Sequence, residues 1–309
     1  MQVVVGQVTL ALCIALVAHA AEMSPYREAA ELCRFKDARI GECSGLASGS
    51  RSEDYFFVHN DSGGEPVFYA VRRDGETLAR FRVKGASAID WEDMARGPGP
   101  KGKPALFLGD IGDNSAKRSS ITVYRVQEPD VDSSRIGVEE ETETATQYDL
   151  EYEDGPHDAE ALLVHPKTGQ LFVVTKSPRG SGVYTTHIPL HTGSVNRIEK
   201  VAEIRFSGFP VSAGAIRDST GALLATGGSI SPDGRHLVVR TYTDAYEWKI
   251  KKGNVVSAFQ GKAAHIPMPP IRSGEAIGYS NDSLSLLASN EGLHAPVFEI
   301  HRKMISRPR

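Results

Sequence analysis

Pairs of acidic residues recur at matched positions along the chain. Asp90 and Glu92 form one Asp-x-Glu pair, Asp158 and Glu160 form a second, and Glu275 stands at the corresponding point of a later segment. Residues i and i+2 of a β-strand share a face, so each pair offers two carboxylates together. Where such strands converge, the carboxylates repel one another, and either protonation or a cation must offset the repulsion. Oxygen-only donors in an irregular cage suit Ca²⁺ better than Mg²⁺ or a transition metal.

A simpler interpretation of these acids stays open at the level of sequence. They could be spread along a solvated channel and paired with Lys176, Arg240 or Arg272. We prefer the hypothesis of a Ca²⁺ site formed by the five acids, because two Asp-x-Glu pairs recur at matching positions.

A second group of polar residues follows predicted strands and supplies candidate ligand-binding groups. Its members are Asn60, Asp61, Asp110, Asp113, Asn114, Lys176 and Arg240. Loops that leave a sheet often display functional groups, and the glycines beside these residues permit close backbone approach. Turn formation is the alternative role for Asp113 and Asn114. A structural salt bridge is the alternative for Lys176 and Arg240.

The sequence offers few catalytic candidates. His59 and His157 stand beside the acidic motifs and could act as general bases, although a histidine next to a turn is more often structural. Lys176 is a third candidate, as a cation facing the acids. No Ser–His–Asp spacing, nucleophile elbow or phosphate-cradling glycine loop occurs, which argues against a serine hydrolase or a nucleotide enzyme. Whether the chain is an enzyme stays open.

The strands that must position these residues form an internal repeat. Each copy contains a short apolar segment, a strand that ends in a polar cluster, and a strand with a central aromatic residue. The first segments begin at Ser44, Glu92, Glu160, Gly228 and Glu275. Five such antiparallel copies predict an all-β fold, a β-propeller with five blades. A sixth blade could lie within 192–224, and a β-sandwich is the alternative fold.

The two ends of the chain carry their own signals. An apolar run, Val8–Val17, followed by Ala18-His19-Ala20 predicts a signal peptide over 1–20, too short to span a membrane. Within 21–43 we expect a short helix from Ser24 to about Arg34 and a strand near 37–40 that closes the ring. The propeller then occupies 44–301, and a tail occupies 302–309.

Cysteine content and net charge restrict the class of protein further. Removal of Cys13 with the signal peptide leaves Cys33 and Cys43, and an even pair in an exported chain predicts one disulfide, with two buried thiols as the alternative. The net charge of −4 and the absence of a basic block argue against a nucleic-acid partner.

Six motifs, spread over nearly the whole mature chain, carry a family resemblance. They are Ser44-Gly45-Leu46-Ala47, Asn60-Asp61-Ser62-Gly63, Asp90-Trp91-Glu92-Asp93-Met94-Ala95, Gly109-Asp110-Ile111-Gly112-Asp113-Asn114, Asp158-Ala159-Glu160-Ala161-Leu162 and Gly274-Glu275-Ala276-Ile277. Together they resemble a family of secreted β-propellers of uncharacterised activity. More loosely, the chain is similar to the calcium-dependent propeller hydrolases, namely the propeller phytases and the gluconolactonase and paraoxonase group.

What the looser resemblance implies is an acidic channel mouth that holds Ca²⁺, with the ion polarising a phosphate or a lactone. The signatures of those hydrolases are not matched here and the blade count differs, so the resemblance implies the fold and the metal more than the activity.

The sequence therefore predicts a secreted protein, extracellular or periplasmic, with no membrane span. We expect a calcium-binding β-propeller that binds a small molecule, a carbohydrate or a protein at its acidic mouth. A calcium-dependent hydrolase of a phosphoester, ester or lactone is the alternative function.

Overall fold

The computed structural model describes residues 24–61, 63–206, 221–269 and 273–303, and its regular elements are almost all strands. The strands are β1 (Ala30–Arg34), β2 (Cys43–Ser48), β3 (Tyr55–Asn60), β4 (Val67–Arg72), β5 (Thr77–Arg82), β6 (Trp91–Pro98), β7 (Pro104–Asp110), β8 (Ile121–Gln127), β9 (Val138–Glu141), β10 (Thr146–Tyr152), β11 (Ala159–Val164), β12 (Leu171–Thr175), β13 (Ser181–Thr186), β14 (Asn196–Ile204), β15 (Ala225–Ile230), β16 (His236–Thr241), β17 (Asp244–Lys249), β18 (Ala264–Pro267), β19 (Gly274–Tyr279), β20 (Ser285–Asn290) and β21 (Pro296–His301). A single-turn helix, α1 (Val255–Ala258), and two 3-10 turns, Pro100–Gly102 and Gly221–Leu223, complete the described elements. The predicted signal peptide, Arg272 and residues 304–309 of the predicted tail lie outside the described residues.

The described strands group into five antiparallel units of four, arranged as the blades of a propeller. From the inside outwards, blade one is β2-β3-β4-β5, blade two β6-β7-β8-β10, blade three β11-β12-β13-β14, blade four β15-β16-β17-β18 and blade five β19-β20-β21-β1. Each innermost strand contacts the next around a closed ring, in which β19 meets β2. The strand β9 extends blade one, and parallel pairing of β10 with β14 joins the outer edges of blades two and three.

The N-terminal segment closes the ring, although not in the predicted form. The strand β1 pairs antiparallel with β21, from Ala30 opposite Glu299 to Arg34 opposite Pro296. The helix expected from Ser24 to Arg34 is therefore wrong, and the residues near 37–40 form a turn instead of the closing strand. A helix would leave the edge of β21 unpaired, and this tertiary demand outweighs a local capping signal.

Apolar side chains fill the spaces between neighbouring blades, as the alternation in the sequence predicts. Trp91 is buried between blades one and two, edge-on to His59 and close to Tyr124. Trp248 and Tyr246 lie in the corresponding cluster of blades three and four. No helix in the described part of the chain is long and apolar enough to cross a membrane.

The predicted disulfide between Cys33 and Cys43 is not formed, and both residues are free thiols. Cys33 lies on the outermost strand of blade five and Cys43 on the innermost strand of blade one, and both pack into one apolar cluster. Burial raises the pKa of Cys33 to about 11 and that of Cys43 to about 12. The thiols are therefore neutral and pack as small apolar side chains, with Cys43 buried and Cys33 partly buried, so the alternative of two buried thiols holds for Cys43.

A buried carboxylate ties three innermost strands together. Asp93 of β6 accepts hydrogen bonds from the backbone N–H groups of Met94 at 2.8 Å, Leu162 at 2.9 Å and Gly228 at 3.1 Å. Leu162 lies in blade three and Gly228 in blade four, so one side chain of blade two fixes two other blades. Burial raises the pKa of Asp93, while the three N–H donors favour its charged form.

Replacement of Asp93 by asparagine should destabilise the ring strongly. The amide keeps the shape of the carboxylate but turns an NH₂ group towards N–H donors, and each buried N–H left without an acceptor costs about 1–3 kcal/mol. We expect the free energy of unfolding of Asp93→Asn, measured in urea, to fall by about 2–4 kcal/mol. Asp130→Asn, at an exposed carboxylate that pairs with Arg51, is the control and should change little. Equal stability of the two variants would contradict this role for Asp93.

Candidate metal centre at the channel mouth

Every innermost strand of the propeller is irregular at its second residue. The pairing register shifts at Ser44, Glu92, Glu160, Thr226 and Glu275, and in blade five the shift also includes Ala276. A β-bulge leaves its extra residue outside the ladder and re-aims that side chain. The five bulges stand at the same end of the channel and deliver three glutamates to it.

The two hydroxyl residues at these positions bind backbone instead. Ser44 donates to the carbonyl oxygen of Glu92 in the next blade, and Thr226 donates to that of Gly274 at 2.8 Å. Thr226, and not Gly228, is therefore the equivalent of Glu92, so the sequence alignment of blade four was wrong by two residues. The glycines there serve close packing, because a Cβ atom on Gly227 would lie 2.4 Å from the carbonyl oxygen of Glu275.

Two groups of three carboxylates meet at this end of the channel, and Asp61 belongs to both. Asp61, Asp90 and Glu92 each offer an oxygen within 4.8 Å of the others, and so do Asp61, Glu275 and Glu291. Glu92 and Glu275 are buried, while the other three are partly exposed. We call these five residues together with Glu160 the acidic mouth.

Glu275 is a strongly perturbed carboxylate of the acidic mouth. It is 4 % exposed, and its Oε2 atom is buried without a hydrogen-bond partner in the described residues. Burial, together with the negative charges of Glu160, Glu291 and Asp61, raises the pKa of Glu275 to about 9. A buried carboxylate oxygen with no donor is costly, so a ligand at this position would stabilise the fold.

Glu92, Glu160 and Lys176 form a chain of charged groups beside it. The ammonium of Lys176 lies 2.5 Å from Glu160 Oε1 and over the ring of Tyr242, 5.3 Å from the centroid. Glu160 in turn shares a hydrogen bond with Glu92. Burial raises the pKa of both glutamates, more for Glu92 because Lys176 favours the charged form of Glu160. Burial and the repulsion between the two carboxylates therefore favour a proton shared by this pair.

A glycine makes room for the first carboxylate group. A Cβ atom on Gly112 would stand 2.2 Å from Glu92 Oε1 and 2.5 Å from Asp90 Oδ2. The backbone N–H of Gly112 donates to the carbonyl oxygen of Asp90 at 3.1 Å. The second glycine of the Gly-Asp-x-Gly-Asp-Asn motif therefore lies directly against the carboxylates of Glu92 and Asp90.

The two aspartates of that motif hold loops and do not join the carboxylate groups. Asp110 accepts the backbone N–H groups of Ile89 and Asp90, each at 3.1 Å, and pairs with Arg118 at 2.8 Å. Asp113 accepts the N–H groups of Lys117 at 2.6 Å and Arg118 at 2.7 Å.

Three further candidates also lie outside the two carboxylate groups. Asp158 Oδ1 accepts the N–H of Asp113 at 2.9 Å. Asn114 is exposed. Asn60 bridges backbone, accepting the N–H of Glu42 and donating to the carbonyl oxygen of Arg39.

The remaining cation and the two histidines have structural partners. Arg240 is fully buried and donates to the carbonyl oxygens of Ala276 at 2.8 Å and Ser289 at 2.7 Å. His59 is buried with Nδ1 2.7 Å from the carbonyl oxygen of Asn60, and burial lowers its pKa. His157 lies 2.9 Å from both Asp154 Oδ1 and the hydroxyl of Tyr184.

Sequence reasoning missed Glu291, although a signal was present. The strand β3 ends at Asn60, and Asp61 follows it. The strand β20, its equivalent in blade five, ends at Asn290, and Glu291 follows it. The repeat therefore places Asp61 and Glu291 at matching positions. Burial and the charges of Asp61 and Glu42 raise the pKa of Glu291.

Comparisons with known proteins assign no family. No protein-family model matches the chain, and no curated protein matches it. The chain is similar to a solved structure of a protein assigned as a gluconolactonase, at 11 % sequence identity over 89 % of this chain and 91 % of that chain, with a TM-score of 0.43. A likeness at this level carries no function, so the chemistry of the acidic mouth rests on its own residues.

The metal-free protein should lose stability as the pH rises. The pKa of Glu275 is about 9 in the folded chain and near 4.5 when solvated, so the folded state binds more protons between these values. The resulting contribution is fully present below about pH 4.5 and is lost progressively towards pH 9, at up to about 1.4 kcal/mol per pH unit. With EDTA present, urea unfolding at pH 5 to 8 should show a negative slope that Glu275→Gln makes shallower. Identical slopes for the two proteins would contradict the shift.

Proposed function

We propose that the chain is an exported, calcium-binding β-propeller that holds a ligand at its acidic mouth. The observation that carries this proposal is the position of Asp61, whose carboxylate lies within 4.8 Å of donors from two separate groups. Blades one, two and five supply these donors. An ion there would bind loops and innermost strands from three blades.

The donor set favours Ca²⁺ among the common ions. All five residues of the two groups offer carboxylate oxygens, and neither histidine nor cysteine takes part. Soft or borderline metals prefer nitrogen and sulfur, while Mg²⁺ requires near-octahedral geometry and retains water. Ca²⁺ accepts six to eight oxygens in irregular arrangements. The Oε2 atom of Glu275, which has no hydrogen-bond partner among the described residues, fits such an ion, because a cation would replace the missing donor.

A cavity beside the ion position supports ligand binding. Its volume is about 240 Å³, and Asp61 forms part of its wall together with Tyr69 and Trp91. Arg39 and Arg80 line the same cavity, and both already pair with Glu139, at 2.7 Å and 3.0 Å. Aromatic faces and charged groups next to a cation suit a polar organic ligand such as a carbohydrate or a peptide.

Calcium should raise the thermal midpoint of the mature protein after EDTA treatment, because a ligand that binds only the folded state stabilises it. Mg²⁺ at the same concentration should give a smaller shift. Asp61→Asn and Glu275→Gln should each weaken Ca²⁺ binding at least about tenfold by isothermal titration calorimetry, since each removes a charged donor. Glu140→Gln, at an exposed acid outside the mouth, is the matched control for the change of charge.

A second pair of variants separates geometry from charge. Gly112→Ala adds a methyl group against the carboxylates of Asp90 and Glu92, so it should weaken Ca²⁺ binding without altering any donor. Gly64→Ala is its control, because no atom of the described residues lies within 4 Å of the added methyl group. Failure of every ion to stabilise the wild-type protein would overturn the proposal.

The partial exposure of Asp61, Asp90 and Glu291 favours one alternative, a calcium-dependent hydrolase. A bound Ca²⁺ that faces solvent would polarise the oxygen of an ester, lactone or phosphoester. Glu160 could accept a proton from the attacking water, and Lys176 holds that carboxylate in place.

A panel of lactones and phosphoesters tests this alternative. Turnover that EDTA abolishes, that Glu160→Gln reduces about 100-fold or more and that Glu140→Gln retains would establish the hydrolase. Calcium binding without turnover on any substrate would leave the ligand-binding function alone.

A further inference from the structure

The opposite mouth of the channel contains a cavity to which every blade contributes. Its volume is about 340 Å³, and residues at or just beyond the ends of the innermost strands line it. One from each blade is Ser48, Pro98, Pro166, Ile230 and Tyr279. The innermost strands begin at the acidic mouth and end here, so this cavity and the acidic mouth lie at opposite ends of the channel.

Arg96 of β6 presents an unused donor edge at this cavity. Its Nη1 atom donates to Ser48 Oγ at 3.4 Å, to the carbonyl oxygen of Gly49 at 3.1 Å and to Asn281 Oδ1 at 2.7 Å. Neither Nε nor Nη2 donates to any described residue, and neither is sealed from solvent. Nε and Nη2 form the edge with which a guanidinium binds a carboxylate or phosphate through two parallel hydrogen bonds.

The charge at this mouth is positive and uncompensated at short range. Arg96 forms no ion pair within 4.0 Å among the described residues, and burial lowers its pKa. The acids that act on it, Glu128 and Glu53, do so only at longer range. Lys103, which is exposed, adds a second positive charge at the cavity wall. A partly buried cation without a carboxylate beside it favours an anionic ligand.

The rest of the wall combines apolar and polar groups. Prolines from three blades, together with Ala47, Ala95 and Ile230, form its apolar part. Ser48, Ser50 and Ser229 line its polar part. Apolar surface and hydroxyl groups beside a guanidinium suit a ligand with an oxyanion head and an organic body.

We infer that this cavity is a second binding site, which takes a small organic oxyanion through the Nε–Nη2 edge of Arg96. The site is independent of the metal centre, since the two share no residue. The head group is a carboxylate or a phosphate, and titration with one probe of each kind distinguishes the two.

Benzoate, phenyl phosphate and uncharged benzamide are the probes, titrated into the full mature chain by calorimetry in EDTA. We expect one or both anions to bind and benzamide to bind at least about tenfold more weakly, as expected for a lost charged hydrogen-bond pair. The preferred anion identifies the head group. Arg96→Lys keeps the charge but loses the planar pair of N–H donors on the Nε–Nη2 edge, so it should weaken anion binding about tenfold or more.

A surface variant keeps the test valid if Arg96→Lys fails to fold. Lys103→Glu changes only an exposed rim residue and should weaken binding several-fold, in a manner that added salt reduces. Lys249→Glu, with the same charge change on an outer strand, should bind as the wild type does. Asp61→Asn should also bind the anion normally, which separates this site from the metal centre. Absence of anion binding to the wild type, or binding that requires Ca²⁺, would overturn the inference.

Discussion

A β-bulge at the second residue of each innermost strand determines what lines the channel mouth. In a regular strand, the alternation of side chains would alone decide which face Glu92, Glu160 and Glu275 occupy. With the bulge, the three glutamates enter a space that the loops carrying Asp61 and Glu291 also reach. Burial, together with the closeness of the other carboxylates, raises the pKa values of Glu92 and Glu275, and a cation at the mouth would relieve the repulsion.

The ring can sustain that repulsion because its centre is fixed by other groups. Asp93 accepts hydrogen bonds from backbone N–H groups of two further blades, and the hydroxyls of Ser44 and Thr226 bridge neighbouring blades. Between blades four and five, Glu247 accepts hydrogen bonds from the hydroxyls of Tyr26 at 2.6 Å and Tyr279 at 2.8 Å. Arg302 pairs with the same carboxylate, so both ends of the described chain are tied to the ring.

The repeat made most of the architecture predictable. Apolar alternation with turn residues at regular spacing identified the innermost strands, and the acids at their starts indicated the mouth. The errors came where tertiary contacts outweigh local signals. Residues 30–34 complete a sheet edge despite a helix-capping pattern, and two glycines shifted the alignment of blade four.

The site was predicted less completely, because sequence spacing does not show which acids accept hydrogen bonds from backbone N–H groups. Asp110 and Asp113 resemble metal ligands in sequence, yet both accept hydrogen bonds from backbone N–H groups of nearby loops. Asp61 proved central only because its loop reaches two blades, a distance that no local motif encodes. Arg96 carries no sequence signal at all, since its role depends on which of its nitrogens the fold leaves without an acceptor.

Terbium luminescence would show whether the acidic mouth holds an oxygen-ligated cation such as Ca²⁺. Tb³⁺ is a hard cation that accepts the same oxygen ligands, and Trp91 is adjacent in the chain to both Asp90 and Glu92. Excitation of tryptophan should give saturable Tb³⁺ emission that Ca²⁺ displaces and that the double variant Asp61→Asn, Glu275→Gln abolishes. Emission that is absent, or that survives in this variant and resists Ca²⁺, would contradict a calcium site at the mouth.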